Sequence, residues 1–300
     1  MAAVEVRIAT ITIASPDKRS SADVAGFLWR YITMSLPPRS NSIVSNPKVK
    51  DPAKNIIYRI SMVFNSLTDQ FTIAENLKAN RRRMKIILEL LNAEFKTWRR
   101  YTVDPFSLLV GTVLSQNTND RNSFPAYRKL ISKFRTPEQM AKANVREIRT
   151  LIRTAGLSKI KSKRLKEISR EILKRYDGNV SLVLKKPLEE AREELLSLPG
   201  VGFKTADVVL AFGAMRDVFP VDTHVFRISK RLGFADKKDD HENVRKKLEM
   251  VTSAGKRIRG HTLMIQLGRR YCRARNPVHL QCPINCLCPI GIRHARHAQP

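Results

Sequence analysis

The fold is decided by the stretch Leu195-Leu196-Ser197-Leu198-Pro199-Gly200-Val201-Gly202-Phe203-Lys204-Thr205-Ala206. Before it, apolar residues recur at helical spacing, and Pro199 ends that pattern. A second helical pattern begins at Phe203. Between the two patterns, Gly200 and Gly202 bracket a turn that is too tight for side chains. The stretch therefore predicts a helix, a Gly-Val-Gly hairpin and a second helix.

This hairpin is a suitable place for a phosphate. Its glycines let backbone N–H groups approach a ligand closely, and the second helix points its positive N-terminus in the same direction. A plain αα-hairpin would explain two helices and a turn without a ligand, and a bare Gly-x-Gly is a weak indicator. The longer string from Leu198 to Thr205 is far more specific. It resembles the helix-hairpin-helix element of the endonuclease III family of DNA-repair glycosylases.

The composition favours a polyanionic partner. The chain has 300 residues, enough for one large domain or two modest ones, and a formal net charge of +29. So strong a charge indicates nucleic acid, although a basic surface on an unrelated enzyme would also carry it. A membrane is a weaker candidate, because the longest apolar runs fall well short of the roughly 20 residues that a span needs. No secretory signal is visible at the start.

The resemblance covers roughly residues 84–289 and implies an all-α, two-lobed helix-hairpin-helix fold. We expect one lobe over 95–215, ending in the hairpin, and a second lobe from 84–94 plus 216–300, with the DNA cleft between them. Residues 1–83 match nothing in the family. We expect a basic extension that is poorly ordered, or sequence upstream of a true start at Met84. The alternative is an arm that adds affinity for nucleic acid.

Two segments are candidates for insertion into DNA. The polar residues 115–120 end a helical pattern, and turn and cap chemistry alone would explain them. The resemblance implies instead that Gln116 or Asn117 fills the gap left by a flipped nucleotide. It also implies that Leu157, after Gly156, is an apolar wedge. The alternative is an ordinary loop leucine that covers the core.

Further DNA contacts are expected at two helix starts. Five basic residues crowd the start of the helix after Leu157, where they oppose the helix dipole unless phosphates offset them: Lys159, Lys161, Lys163, Arg164 and Lys166. The resemblance adds the hairpin and the residue after the Asp-Thr pair that follows it, namely Gly200, Val201, Gly202, Thr205 and His224.

Two residues are candidates for catalysis. Asp222 would serve as a helix N-cap, which is the simpler interpretation. At this interval after the hairpin, however, Asp222 and Lys204 match the catalytic pair of the family. A lysine amine can displace the base at the sugar C1′ and remain bound as a Schiff base, after which β-elimination cuts the strand. The amine must be neutral, and we expect the helix N-terminus and nearby cations to lower the pKa of Lys204. Asp222 would stabilise positive charge on the sugar.

The resemblance implies a bifunctional glycosylase and abasic-site lyase that removes oxidised or ring-saturated pyrimidines from double-stranded DNA. Relatives specific for adenine opposite oxoguanine usually lack a lysine at the position of Lys204. The alternatives are a mismatch thymine or uracil glycosylase, a non-catalytic helix-hairpin-helix DNA-binding protein, and a structural zinc protein. We expect a monomer, located in the cytoplasm with the nucleoid, or in the nucleus or an organelle of a eukaryote.

All four cysteines lie between positions 272 and 288, which favours a metal over a disulfide framework. The segment resembles the family's loop for a [4Fe-4S] cluster, with cysteine intervals of six, two and five residues. Cys272, Cys282 and Cys288 are in register, whereas the second position is His279 and the remaining Cys286 is out of register. We expect Cys286 as fourth ligand, because such clusters prefer thiolate, with His279 as the competing ligand. Zinc bound by three cysteines and a histidine is the alternative.

Overall fold

The structure is a computed structural model that describes residues 77–96 and 103–297. The expectations for residues 1–76 fall outside the described residues. Every described element of secondary structure is helical, which confirms the predicted all-α fold. The α-helices are α1 (Leu77–Glu94), α2 (Pro105–Ser115), α3 (Asp120–Lys133), α4 (Pro137–Lys142), α5 (Val145–Leu151), α6 (Ser158–Tyr176), α7 (Val180–Lys185), α8 (Leu188–Leu196), α9 (Phe203–Gly213), α10 (Thr223–Arg231), α11 (His241–Val251), α12 (Arg257–Arg270) and α13 (Pro289–His297).

The first lobe is built around the cluster of buried side chains that extends from Val103 to Val218 and includes Ile258. Helix α2 is buried over Phe106–Leu114, and α9 is buried over Thr205–Phe212. A helix that is apolar on all sides lies in the core of its domain. Helix α9 packs against both α2 and α8, so the hairpin between α8 and α9 is mounted on the interior of this lobe.

The second lobe has its own hydrophobic cluster, formed by α1 together with α10, α11 and α12. From Leu77 onward, the described chain therefore runs through this lobe, forms the first lobe, and returns to the second lobe near residue 219. Helix α1 begins at Leu77, which packs against the second cluster, so the helix extends seven residues upstream of Met84. Met84 itself is completely buried. None of the helices in the described ranges has the length and apolar character needed to span a bilayer.

A buried ionic network joins the two lobes. Arg192 on α8 donates to the Asp207 carboxylate on α9 at 2.7 Å, and it also pairs with Glu242 on α11. Arg245 on α11 donates to Glu242 at 2.7 Å. Removing one partner from such a network leaves a buried charge uncompensated, which destabilises the fold. It therefore ties the helices of the hairpin to the second lobe.

Candidate active site

The hairpin has the geometry that a close ligand requires. Gly200 has a φ of 71°, and a Cβ there would lie 1.9 Å from Nε of Arg164. At Gly202, by contrast, a Cβ would meet nothing within 4 Å. No described side chain caps the N-terminus of α9. The first N–H groups of α9 therefore lack a capping side chain, which suits a phosphate oxygen.

Two of the hairpin residues expected at DNA have side chains that face inward. The Val201 side chain is buried in the first lobe. Thr205 is also buried, and its hydroxyl accepts a hydrogen bond from Nε2 of Gln116 at 3.3 Å. Any contact of these two residues with a ligand at the hairpin would therefore come from the backbone.

Lys204 is the second residue of α9 and is half-buried. Its amine interacts electrostatically with Asp222 from the second lobe and with Asp120 from the first. Burial lowers the pKa of Lys204, and the nearby Arg269 guanidinium lowers it further, while the two carboxylates oppose them. The direction agrees with the expectation from the sequence, but burial rather than the surrounding cations is its main cause.

Asp222 is the N-cap of α10, and its Oδ1 accepts the N–H of Val225 at 2.8 Å. The capping contact proposed as the simpler interpretation therefore exists. Burial alone would raise the pKa of Asp222, but His261, the Val225 N–H, His224 and Lys204 outweigh it and lower the pKa below its usual value. A carboxylate held ionised in this way can face developing positive charge. Capping and charge stabilisation are thus compatible in one residue.

Two histidines stand next to Asp222. His261 on α12 is fully buried, and its Nδ1 lies 2.8 Å from the Pro220 carbonyl oxygen, an arrangement in which Nδ1 carries the proton. Burial lowers the pKa of His261 to about 4, so the ring is neutral at pH 7. His224, expected at DNA, is half-buried and lies 3.1 Å from the guanidinium of Arg227. Sequence reasoning missed His261, since no motif or spacing distinguishes it.

Asp120 and Arg269 also border the Lys204 amine and were missed as site residues. Asp120 is the first residue of α3, and it accepts a hydrogen bond from Arg269 near the end of α12 at 3.1 Å. Burial raises the pKa of Asp120, and Arg269 partly offsets this effect. The pair joins the first lobe to the second beside the amine. Its members are 149 positions apart, so sequence pattern alone could not bring them together.

The structure separates the two candidates in the 115–120 segment. Nε2 of Gln116 donates to the Gly200 carbonyl at 3.1 Å, and its Oε1 accepts from Arg164 at 3.1 Å. Asn117 is exposed, in the left-handed region with a φ of 52°. The amide of Gln116 therefore lies against the hairpin, and that of Asn117 lies in the adjacent exposed turn.

Leu157 does not cover the core, because 52% of the residue is exposed. It has a φ of 48° and follows Gly156, whose φ is 68°, so two successive left-handed residues turn it outward. Ile160, one helical turn further on, is equally exposed. The alternative interpretation of Leu157 as a leucine that covers the core is thus wrong.

The prediction that all five basic residues at the start of α6 face phosphate is wrong for at least one of them. Lys161 is only 1% exposed, and its Nζ donates to two backbone carbonyls, those of Leu114 and Ala155. Lys166 likewise donates to a backbone carbonyl, that of Ala143. Lys159 and Lys163 are exposed and remain available to an anion.

The cysteines lie after α12, against the core of the second lobe. Cys272, Cys282 and Cys288 line one cavity together with His279, and Cys286 is not among the described residues that line it. Arg231 donates to the sulfur of Cys272 at 3.3 Å. The ring of His279 stacks on His294 with 4.1 Å between the ring centroids.

These residues fit an iron–sulfur cluster by ligand type and by their place against the second lobe, but not by the arrangement of their side chains. Thiolates are the ligands of such clusters and imidazole replaces them in some, and the cavity is shielded by the second lobe. Burial raises the pKa of Cys282 to about 12, so without a metal this thiol keeps its proton. Within the described ranges, no three side chains of histidine, cysteine, aspartate or glutamate are arranged to hold a metal ion.

Known proteins are similar to this chain in both sequence and fold. The profile of HhH-GPD superfamily base excision DNA repair proteins matches residues 110–253. Endonuclease III of Thermotoga maritima is 40% identical over 195 residues, which cover 64% of this chain and 86% of that protein. Endonuclease III of Bacillus subtilis is 34% identical over 188 residues, or 63% of this chain and 82% of that protein. The solved structure of a trapped endonuclease III–DNA covalent intermediate has a TM-score of 0.64 at 32% identity, over 72% of this chain and 99% of that one.

The fold and the site, with a hairpin open to phosphate and a half-buried lysine beside an ionised aspartate, define a helix-hairpin-helix DNA glycosylase of base-excision repair. The relatives make the assignment specific. The chain belongs to the endonuclease III family and is a DNA glycosylase and abasic-site lyase.

The two hairpin glycines provide a matched test of this geometry. In Gly200→Ala, the left-handed backbone costs about 1–2 kcal/mol, and Arg164 must move away from Gln116 to make room. We expect a lower melting temperature for this variant. Gly202→Ala should change stability by under about 1 kcal/mol, because its Cβ enters open space, but it should weaken duplex binding about tenfold. Thermal unfolding and fluorescence anisotropy measure the two effects. Unchanged duplex affinity in Gly202→Ala would mean that no phosphate lies at Gly202.

Proposed function

We propose that the protein is a bifunctional glycosylase that excises oxidised or ring-saturated pyrimidines and cleaves the resulting abasic site through a Schiff base on Lys204. The observation that carries this proposal is the placement of the Lys204 amine. Burial favours its neutral form, and it faces the ionised Asp222 from the other lobe. A neutral amine is the nucleophile that the reaction requires. The covalent complex solved for the related endonuclease III is consistent with such a step.

In the proposed reaction, Nζ of Lys204 attacks C1′ of the damaged nucleotide, and the bond from C1′ to the base breaks with its electron pair leaving on the base. Asp222 stabilises the positive charge that develops on the sugar. The new C–N bond becomes an iminium when the sugar ring opens and the nitrogen loses its proton. Loss of the C2′ proton then expels the 3′ phosphate. Hydrolysis of the imine releases the amine.

The base must leave the duplex before the amine can reach C1′, which costs a few kcal/mol. We propose that the Gln116 loop and the Leu157 turn offset this cost by filling the vacated space. The exposure of Leu157 and the position of the Gln116 amide against the hairpin support this proposal. The hairpin and the exposed Lys159 and Lys163 would hold the phosphates of double-stranded DNA. In this proposal the enzyme acts as a monomer.

We also propose that the C-terminal loop holds a [4Fe-4S] cluster through Cys272, Cys282 and Cys288, with His279 as fourth ligand in place of the Cys286 expected from the sequence. The shared cavity and the family register favour His279, whereas the preference of such clusters for thiolate favours Cys286. When bound, the cluster would contribute folding free energy, because it joins ligands from the two ends of the loop.

Replacing the amine tests the nucleophile directly. Lys204→Ala should abolish base release and borohydride trapping on DNA that contains an abasic site, since both reactions require the amine. Duplex affinity should fall less than about threefold, because it depends on many phosphate contacts. Base release and strand cleavage are scored separately on duplexes with thymine glycol, dihydrouracil, G·T or G·U. Trapping of the variant at the wild-type rate would show that another amine reacts, and release only from the mismatches would reverse the proposed substrate class.

The variant Asp222→Asn distinguishes the role of the Asp222 charge from its role as a helix cap. Asparagine caps a helix about as well as aspartate does, so the melting temperature should change by no more than about 2 °C. Without the carboxylate charge, base release should fall at least about tenfold, which corresponds to ~1.4 kcal/mol of barrier. Asp222→Ala is the control that also loses the cap and should be less stable by about 1 kcal/mol. If Asp222→Asn keeps wild-type turnover, the residue acts only as a cap.

The fourth cluster ligand is tested with two single variants purified without oxygen. His279→Ala should lose most of its iron and its brown visible absorbance, whereas Cys286→Ala should keep both, because Cys286 lies outside the shared cavity. Iron content and the visible spectrum are the measurements. The opposite result assigns the fourth ligand to Cys286, and zinc without iron in the wild type would rule out the cluster.

A further inference from the structure

Helix α6 contains a buried lysine that the proposed reaction does not use. Nζ of Lys161 donates to the Leu114 carbonyl at 2.8 Å and to the Ala155 carbonyl at 2.9 Å, and the residue is 1% exposed. Burial lowers its pKa to about 8. Burying an amine costs free energy unless it forms hydrogen bonds, and the bonds to these two carbonyls offset that cost for Lys161.

The two carbonyls belong to separate segments, and each lies just before a residue proposed to enter DNA. Leu114 is the second-last residue of α2, two positions before Gln116. Ala155 ends a short 3-10 helix (Arg153–Ala155), two positions before Leu157. Carbonyls at helix C-termini lack partners within the helix and carry partial negative charge, so an ammonium group is well suited to hold them.

One nitrogen that bonds both carbonyls limits the distance between the two segments. With contacts of 2.8 and 2.9 Å, the two oxygens lie no more than about 6 Å apart. One helical turn further along α6, Arg164 donates to the Gln116 side chain, which in turn donates to the Gly200 carbonyl. The same face of α6 thus holds the backbone of both segments and the amide of one of them.

We propose that Lys161 is a positioning residue that holds the Gln116 loop and the Leu157 turn at a fixed separation, so that the two enter the duplex as one unit. This inference depends on the proposed roles of Gln116 and Leu157. Preorganisation matters here because each segment ordered in advance removes an entropic cost from base extrusion. The contribution of Lys161 should therefore appear only when the reacting nucleotide begins inside a duplex.

The test compares two substrates for Lys161→Met, which keeps an unbranched apolar side chain but removes the ammonium donors. One substrate is a duplex with thymine glycol opposite adenine, scored by base release. The other is a single-stranded oligonucleotide with an abasic site, scored by borohydride trapping, which needs Lys204 but no extrusion. We expect at least a tenfold loss on the duplex, corresponding to ~1.4 kcal/mol, and less than about a twofold change in single-strand trapping.

Lys174→Met is the matched control, since it removes the same charge from an exposed position at the far end of α6. Both of its rates should stay within about twofold of the wild type. Equal losses on the two substrates in Lys161→Met would mean that Lys161 only supports folding, and no loss on the duplex would mean that it positions nothing. Either result overturns the inference. Failure of the wild type on both substrates would instead refute the proposed function.

If circular dichroism shows that Lys161→Met does not fold, the two segments that Lys161 contacts can be tested instead. Gln116→Ala, Leu157→Ala and the double variant are compared on the duplex. Two segments that act as one unit should give a double variant no more than about twofold slower than the slower single variant. Losses that multiply would show that the segments act independently, which overturns the inference.

Discussion

An amine attacks carbon only in its neutral form. Burial lowers the pKa of the Lys204 side chain and so favours that form. The two carboxylates that face it pull in the opposite direction, because each stabilises the ammonium form. The result is a lysine whose pKa is lowered, yet whose surroundings still stabilise positive charge. Both properties are needed in one reaction, first for the attacking amine and then for the cationic sugar. The remaining architecture keeps this arrangement in place.

The opposing effects of burial and of the carboxylates on the Lys204 pKa depend on the contact between the two lobes. Lys204 comes from the start of α9 in the first lobe, and Asp222 comes from the start of α10 in the second. The Asp120–Arg269 contact and the buried network around Arg192 also join the first lobe to the second. The buried charges around Arg192 tolerate little displacement, since a lost partner leaves an uncompensated charge. The lobes are thereby held at the spacing that the amine and the carboxylate require.

The surface formed by the hairpin and the Leu157 turn also depends on buried polar contacts, on a smaller scale. Its glycines and left-handed residues produce turns that present backbone N–H groups and one exposed leucine to solvent. Behind these turns, Lys161 and Arg164 bond carbonyls and an amide rather than phosphates. The five basic residues at the start of α6 look equivalent in the sequence, but two are exposed, two are half-buried and one is internal. The net charge of +29 indicates a polyanionic partner, but it does not show which basic residues are exposed and which are buried.

The sequence by itself determined the helical fold and the hairpin, because glycine, proline and the apolar period act over a few neighbouring positions. The candidate pair of Lys204 and Asp222 came from the resemblance of two sequence strings to the endonuclease III family. The sequence could not show that Gln116 packs against the hairpin, identify Lys161 as internal, or find His261 and Arg269 beside the site. Those outcomes depend on contacts between segments far apart in the chain, and burial, which sets the pKa of Lys204 and of His261, is a property of packing. Only the tertiary structure brings these groups together, because the energy of a charge depends on what surrounds it in space.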